Sequence, residues 1–300
     1  MMMNNLKKIT YPSIGRILTL TPNPHILLGR RITWEVKRDG SCVYAALDET
    51  DTIRLKTNGT NEATSHIYDA FNICPECDAI RELLLDARRW SDEYIIFFEL
   101  MEKGISPTRA ETHDHTHLEV FDIWSVKSNK FFPYTKMHQD CYHFNLPVVE
   151  VWGVSISNDI QHLWDVKNKM LDRALDEGKE GVVGKVWGGN DILEFGYTTP
   201  NIYFKEKLDT PKYEEIPTYI QDGKTVVLPP LPEEEIRNEV HKVYRDLELK
   251  EFRRPEIAMP RIAKAIGEEC KKQNCRRPHN IAAYYYQKLE DIIINGNEGM

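Results

Sequence analysis

Between Ile32 and Lys207, apolar positions recur in short runs separated by turns: ITWEVK, SCVYAAL, TIRLKT, EYIIFFELM, LEVFDIW, EGVVGKVW and NIYFKEKL. Their alternation with polar residues, and their content of β-branched and aromatic side chains, predict strands. Two stretches break that rhythm with helical spacing. The first, around Cys77 to Trp90, repeats Ile80, Leu83, Leu84 and Ala87; the second, around Asp159 to Glu177, repeats Leu163, Val166, Met170, Leu171 and Ala174. The pattern predicts an α+β domain of antiparallel sheets, not a regular βαβ array.

Beyond Lys207 the pattern changes. Pro211, Pro217, Pro229, Pro230 and Pro232 mark a linker, and the segments that follow are helical. Pro232 and the three glutamates after it open one helix, Ile257 to Lys272 make a second, and Asn280 to Ile294 a third. The expected organisation is a first domain over residues 1–210, a proline-rich linker over 211–231 and a small all-helical C-terminal domain over 232–300.

Composition narrows the classes. With 41% hydrophobic and 29% charged residues, and no run of about 18 apolar residues, no membrane partner is expected. The opening MMMNNLKKITYPS lacks an apolar core followed by a small-residue cleavage site, so a cytoplasmic location and reduced thiols are expected. Cys74 and Cys77 have the two-residue gap of a zinc knuckle, but Cys270 and Cys275 have a gap of four, so a turn with ordinary thiols is the stronger reading. His113, His115 and His117 alternate in a polar stretch that reads as a loop more readily than as a metal site.

The net charge of −8 argues against a uniformly basic coat for a polyanion. Charge is nevertheless uneven. Residues 250–280 carry nine lysines and arginines against four glutamates, a local +5 that leaves −13 on the rest. Arg253, Arg254, Lys271 and Lys272 are therefore candidate polynucleotide contacts, with a solvated helix face or a homodimer contact through the helical tail as the competing uses. Tyr284, Tyr285 and Tyr286 are candidates for base stacking, but three consecutive residues cannot share one helix face, which favours packing.

The chemistry starts at WEVKRDG, where Lys37 stands between a predicted strand and an Asp39-Gly40 turn. Alone, a lysine before a hairpin is an ordinary surface residue. With the segments that follow it in order, however, the chain resembles the covalent nucleotidyltransferases, the ATP-dependent DNA and RNA ligases and GTP-dependent capping enzymes, over residues 30–210. The resemblance implies an antiparallel-sheet, ATP-grasp-like ligase core. In it Lys37 would be the nucleophile that takes AMP, with Asp39 and Gly40 completing its motif. Glu35 would lie near the adenine, Arg54 and Gly40 near the nucleotide, Glu99 at the ribose or a metal, and Phe121 stacked on the base. Glu180 would hold the metal, Mg²⁺ or Mn²⁺, and Lys185, Lys205 and Lys207 would line the nucleotide site, the last two at its phosphates.

Physical chemistry adds a demand. A free lysine has a pKa of about 10.4, so only about one amine in a thousand is a nucleophile near pH 7.4. Like-charge repulsion from Lys205, Lys207 and a divalent cation is expected to lower it. A helical tail instead of a five-stranded OB barrel is like that of RNA ligases of the phage duplex-RNA-sealing type. The resemblance thus implies an ATP-dependent RNA ligase acting on 5′-phosphate and 3′-hydroxyl ends. The alternatives are a DNA ligase, a capping-type guanylyltransferase and a non-catalytic RNA-binding relative.

Overall fold

The computed structural model describes residues 11, 12, 14–20, 23–58, 60, 62–105, 111–187, 199–208, 218–221, 224–278 and 280–295. The chain divides into two compact units, Met1–Gly15 with Leu27–Leu208, and Arg16–Ile26 with Asp209–Met300. The segment 16–26 thus groups with the C-terminal part of the chain. Most of the opening MMMNNLKKITYPS, together with Pro211 and Pro217, lies outside the described residues.

The first unit is built on two antiparallel sheets. One has four strands in the order β11-β10-β1-β9, formed by β1 (Arg31–Lys37), β9 (Val151–Ile156), β10 (Gly181–Trp187) and β11 (Pro200–Lys207). The other has five in the order β3-β2-β4-β7-β8, from β2 (Ser41–Leu47), β3 (Ile53–Thr57), β4 (Tyr94–Met101), β7 (His117–Ser125) and β8 (Lys130–Phe131). A short pair, β5 (Gly104–Ile105) and β6 (Thr112–His113), precedes β7. Each of the seven runs picked out by alternation lies on one of these strands.

Helices cover the outer faces. Helices α1 (Ser65–Asn72), α2 (Cys77–Arg89) and α3 (Tyr134–His143) bury Ile67, Phe71, Ile80, Leu83, Leu84 and Met137 against Val43, Phe98 and Val120 of the five-stranded sheet. Helix α4 (Ile160–Asp176) packs on β10 and is capped by Asp159, whose side chain accepts the His162 amide at 2.7 Å. Burying each large aliphatic side chain contributes roughly 1.5–3 kcal/mol, so these outer layers anchor the sheets. The inner faces are left for chemistry.

The second unit contains a hairpin, β12 (Thr218–Gln221) with β13 (Lys224–Val227), inside the stretch whose prolines suggest a linker. Four helices follow among the described residues: α5 (Glu233–Asp246), α6 (Leu249–Phe252), α7 (Pro255–Gln273) and α8 (Ile281–Asn295). Ile236 and Val240, Ile262 and Ile266, and Leu289 and Ile293 are buried at helical spacing. Tyr285 is fully buried and donates its hydroxyl to the Phe252 carbonyl at 2.6 Å, a packing role. No helix of the described residues is long and apolar enough to cross a membrane.

Candidate active site

Strand register assembles the site. Glu35 pairs with Val183 and Lys37 with Gly181 across β1 and β10, while Val183 pairs with Lys205 and Gly181 with Lys207 across β10 and β11. Paired residues share a face and alternate residues along a strand repeat it. Glu35, Lys37, Lys185, Lys205 and Lys207 therefore stand on one face of the four-stranded sheet, with Trp34, Val36, Val182 and Phe204 buried on the other. Gly181 is where close packing demands glycine, since a Cβ there would collide with the Glu206 carbonyl of the neighbouring strand.

The five-stranded sheet supplies the opposite wall. Cys42 pairs with Glu99 and Glu99 with Glu119, which places all three on one face. Between Phe97 and Phe98 the ladder slips: Phe98 faces Val120 but Phe97 faces Asp122, so Phe121 is the extra residue of a β-bulge. Phe121 lines the cavity and Asp122 meets Lys185, so the bulge serves two consecutive residues at one site. Gly40 closes the turn after β1; a Cβ on it would lie 2.5 Å from the Leu100 carbonyl oxygen.

These walls enclose a cavity of about 260 Å³. Of the residues expected at the nucleotide, Glu35, Lys37, Gly40, Glu99, Phe121, Lys185 and Lys205 line it. Asp39 is buried and adjoins Gly40 in sequence, whereas Glu180 and Lys207 are not among the lining residues; they form an ion pair, and Glu180 also pairs with Lys37. Arg54 is placed differently. Its guanidinium is bound to Asp48 at 2.8 Å within the β2–β3 turn, and it is not among the lining residues. Arg253, Arg254, Lys271 and Lys272 belong to the second unit, where Arg254 pairs with Glu256 and Lys272 with Glu269.

At one end of the cavity the Lys37 ammonium donates to Glu180 Oε2 at 2.5 Å and to the Arg38 carbonyl at 3.3 Å. Burial works to lower its pKa, but Glu180, Glu99 and Asp39 outweigh burial and hold it above the ordinary lysine value. The expected lowering of this pKa depends on a bound divalent cation together with Lys205 and Lys207. In the protein alone the neighbouring lysines do not act on Lys37 unopposed, because Lys207 is itself paired with Glu180. Glu99 accepts the Gly40 amide at 3.0 Å, and burial pushes its carboxyl up to about 7 although Lys37 pulls the other way.

At the other end, Lys185 is enclosed by oxygens: the Phe121 carbonyl at 2.7 Å, Glu35 at 3.0 Å and Asp122 at 3.1 Å. Tyr11 donates its hydroxyl to Asp122 at 2.5 Å. Burial raises the Glu35 carboxyl to about 7 against the pull of Lys185, and its Oε1 has no hydrogen-bond partner among the described residues. Sequence reasoning missed Asp122 and Tyr11. The signal for Asp122 was its place beside Phe121, hidden because regular alternation would send neighbours to opposite faces.

Among the described residues no group of three or more His, Cys, Asp and Glu is arranged to hold a metal, so neither the histidine run nor the cysteines form such a cluster there. Cys42, Cys74, Cys77, Cys141, Cys270 and Cys275 are all free thiols. Glu180 and Glu99 offer two hard oxygen donors near Lys37, which fits Mg²⁺, since that ion takes one or two carboxylates and completes its shell with water and phosphate.

No family model and no curated protein matches this chain. Among solved structures, an archaeal ATP-dependent RNA ligase is 16% identical with a TM-score of 0.49, covering 95% of this chain and 63% of its own. A Naegleria gruberi RNA ligase variant with ATP and Mn is 15% identical, TM-score 0.46, covering 66% and 56%. An Aquifex aeolicus protein described provisionally as an ATP-dependent DNA ligase is 18% identical, TM-score 0.47, covering 96% and 65%. This chain spans under two thirds of the length of each of these proteins.

Proposed function

We propose that this protein is an ATP-dependent RNA ligase that works through a lysine-AMP intermediate on Lys37. The observation that carries the reading is a cavity lined by the partly exposed Lys37, the buried Glu99, the Phe121 ring and the acceptor carboxylate Glu35, with Lys37 paired to the buried Glu180. In the first step the Lys37 amine attacks the α-phosphorus of ATP, an N–P bond forms and pyrophosphate leaves. AMP then passes to a 5′-phosphate, and a 3′-hydroxyl displaces it to close the phosphodiester.

The chain's own residues have distinct parts in that chemistry. Glu180 holds the proton on Lys37 Nζ until nucleotide and metal compete for the carboxylate, so the nucleophile stays protected in the empty protein. Lys205 and Lys207 offset charge on the phosphates. A Mg²⁺ or Mn²⁺ ion held by Glu180 and Glu99 would withdraw further charge from the phosphoryl group. Phe121 stacks on the base, and the unpartnered Glu35 Oε1 accepts the amino group of adenine; guanine would set a carbonyl oxygen against it. Arg54, held by Asp48, remains a nucleotide contact only if that pair opens on binding.

The test is incubation with Mg²⁺ and either ATP or GTP labelled at the α-phosphorus. Label from ATP alone is expected, surviving denaturation and alkali but released by acid, which cleaves the N–P bond of a lysine phosphoramidate. Label from GTP alone would replace the reading by a capping-type guanylyltransferase, and label from neither by a non-catalytic relative.

RNA is favoured over DNA by the second unit, whose described residues form four helices and one hairpin in place of a five-stranded OB barrel. Its basic residues grip the phosphate backbone of the RNA. Neutralising Arg253, Arg254, Lys271 and Lys272 together should weaken binding of nicked RNA across sequences. The log-log salt slope should fall by about 0.7 to 0.9 per lost phosphate contact. Unchanged affinity and slope would remove the RNA role from this surface and point to a dimer contact, read from the mass in solution.

A further inference from the structure

The pairing of β1 with β10 runs from Ile32 with Val186 to Lys37 with Gly181 and stops there. The two groups whose separation matters most, the Lys37 amine and the Glu180 carboxylate, therefore sit where the ladder ends. Arg38 and Asp39 leave β1, and Lys179 and Glu180 enter β10, with no β1–β10 pairing to tie one end to the other; the Glu180 carbonyl accepts the Leu208 amide and the Lys179 amide donates to the Ala174 carbonyl instead. Something else must hold these ends together.

Glu111, which lies just before β6, contacts both. It is 6% exposed. Its Oε1 accepts the Asp39 amide at 3.2 Å, and its Oε2 lies 2.9 Å from Arg38 Nη1 and 3.2 Å from Lys179 Nζ. Arg38 is held from its other side by Glu119, with Nε 3.3 Å from Oε2. A buried carboxylate is costly unless its oxygens are well occupied, and three of the partners of Glu111, Asp39, Arg38 and Lys179, come from the residues flanking Lys37 and Glu180.

We propose that Glu111 is a positioning residue for nucleotidyl transfer, clasping the Arg38-Asp39 turn to Lys179 and so fixing where Lys37 stands relative to Glu180. The inference rests on the lysine-AMP reading and adds to it a carboxylate that touches neither the nucleotide cavity nor the reacting atoms. It also gives the stretch from Glu111 to His113 a use other than metal binding. Loss of the clasp lets the amine and the carboxylate drift apart, and misplacement by about 1 Å from a residue remote from the chemistry can cost on the order of 100-fold.

The experiment measures single-turnover lysine-AMP formation by the full-length protein over a range of ATP concentrations, alongside thermal unfolding. Glu111→Ala is expected to lower the maximal rate by about 100-fold while the half-saturating ATP concentration moves less than about threefold. Glu111→Gln keeps an acceptor for the Asp39 amide and should lose about tenfold. Lys179→Met removes one arm of the clasp from a partly exposed site and should lose several-fold without unfolding. Wild-type rates in all three variants, or losses confined to the half-saturating concentration, would overturn the clasp. If Glu111→Ala fails to fold, Glu111→Gln and Lys179→Met decide alone, and wild-type rates in both overturn it. Absence of label on the wild-type protein would instead overturn the reading beneath the proposal, and the proposal with it.

Discussion

Two lysines on one sheet face, Lys37 and Lys185, both line the cavity, and each is surrounded by carboxylates that raise its pKa despite burial. Their surroundings differ in completeness. The Lys185 side chain is 2% exposed and meets three oxygens, one for each ammonium hydrogen. Lys37 is 17% exposed, leans on a single carboxylate and shares it with Lys207. A fully partnered ammonium is a structural element, whereas one held by a carbonyl at 3.3 Å and a carboxylate that it shares can be released. In the proposed mechanism it is this incomplete pairing that sets Lys37 apart from Lys185.

The comparison breaks most sharply by deletion. Lys37→Ala should abolish lysine-AMP formation yet still seal, slowly, an RNA supplied with AMP already on its 5′ end. Normal labelling by that variant would move the nucleophile elsewhere. Glu180→Ala separates two roles of the carboxylate. If Glu180 served only to hold the proton, its loss would lower the Lys37 pKa and speed adenylation. If it also holds the metal, adenylation should fall by about 100-fold or more with the fold intact. Glu99→Ala should behave likewise, and activity equal to wild type in both would return these glutamates to packing.

Stability should show the opposite ranking. Lys185→Met leaves Glu35 and Asp122 buried around an absent charge and should cost about 3–5 kcal/mol in denaturant unfolding, as removing one partner of a buried pair does. Lys37→Met leaves Glu180 with Lys207 and should cost under about 1 kcal/mol. Equal losses would mean that the two lysines are equally structural, and the distinction would fail.

Much of this was legible in the sequence because the site is written in strand alternation. Glu35 and Lys37, or Lys205 and Lys207, are two apart and must share a face once their runs are strands. The helices α2 and α4 carry regular apolar spacing and were equally readable. Helix α3 was not, since it buries only Met137 and Cys141 among polar neighbours. Strand β9 was hidden because it is a sheet edge, with Val154 and Ile156 exposed and a glycine between its apolar residues. Asp122 was missed because a bulge breaks the alternation rule at its position, and Glu111 because its partners are 68 and 72 residues away or more in sequence. For Lys37, motifs record which charges gather and not which of them are already paired with one another, as Glu180 is with Lys207.

The smallest predicted effect concerns pH, and it sets activity against stability. Lys37, held above the ordinary lysine value by its carboxylates, must lose a proton to attack, so the adenylation rate should rise about tenfold per unit where chemistry limits. Glu99 must be ionised to serve a metal, and burial raises its carboxyl to about 7 in the protein alone, so where metal capture limits labelling a second proton should steepen the slope toward two below that point. Glu99→Gln should remove the break near pH 7 from whatever activity remains. Stability runs the other way. With its folded pKa raised from 4.5 to about 7, Glu99 keeps a proton that the unfolded chain has released, and the native state binds more protons across that window. Unfolding free energy therefore falls as pH rises from about 4.5 to about 7 through this group, and through Glu35, raised to about 7 by the same burial. The protein should thus be less stable at the pH where it labels faster, and Glu35→Gln and Glu99→Gln should each flatten that decline. An adenylation rate independent of pH above 7 would mean that Lys37 is already neutral in the ATP complex. The burden of removing its proton would then have passed wholly to the bound nucleotide and its cation.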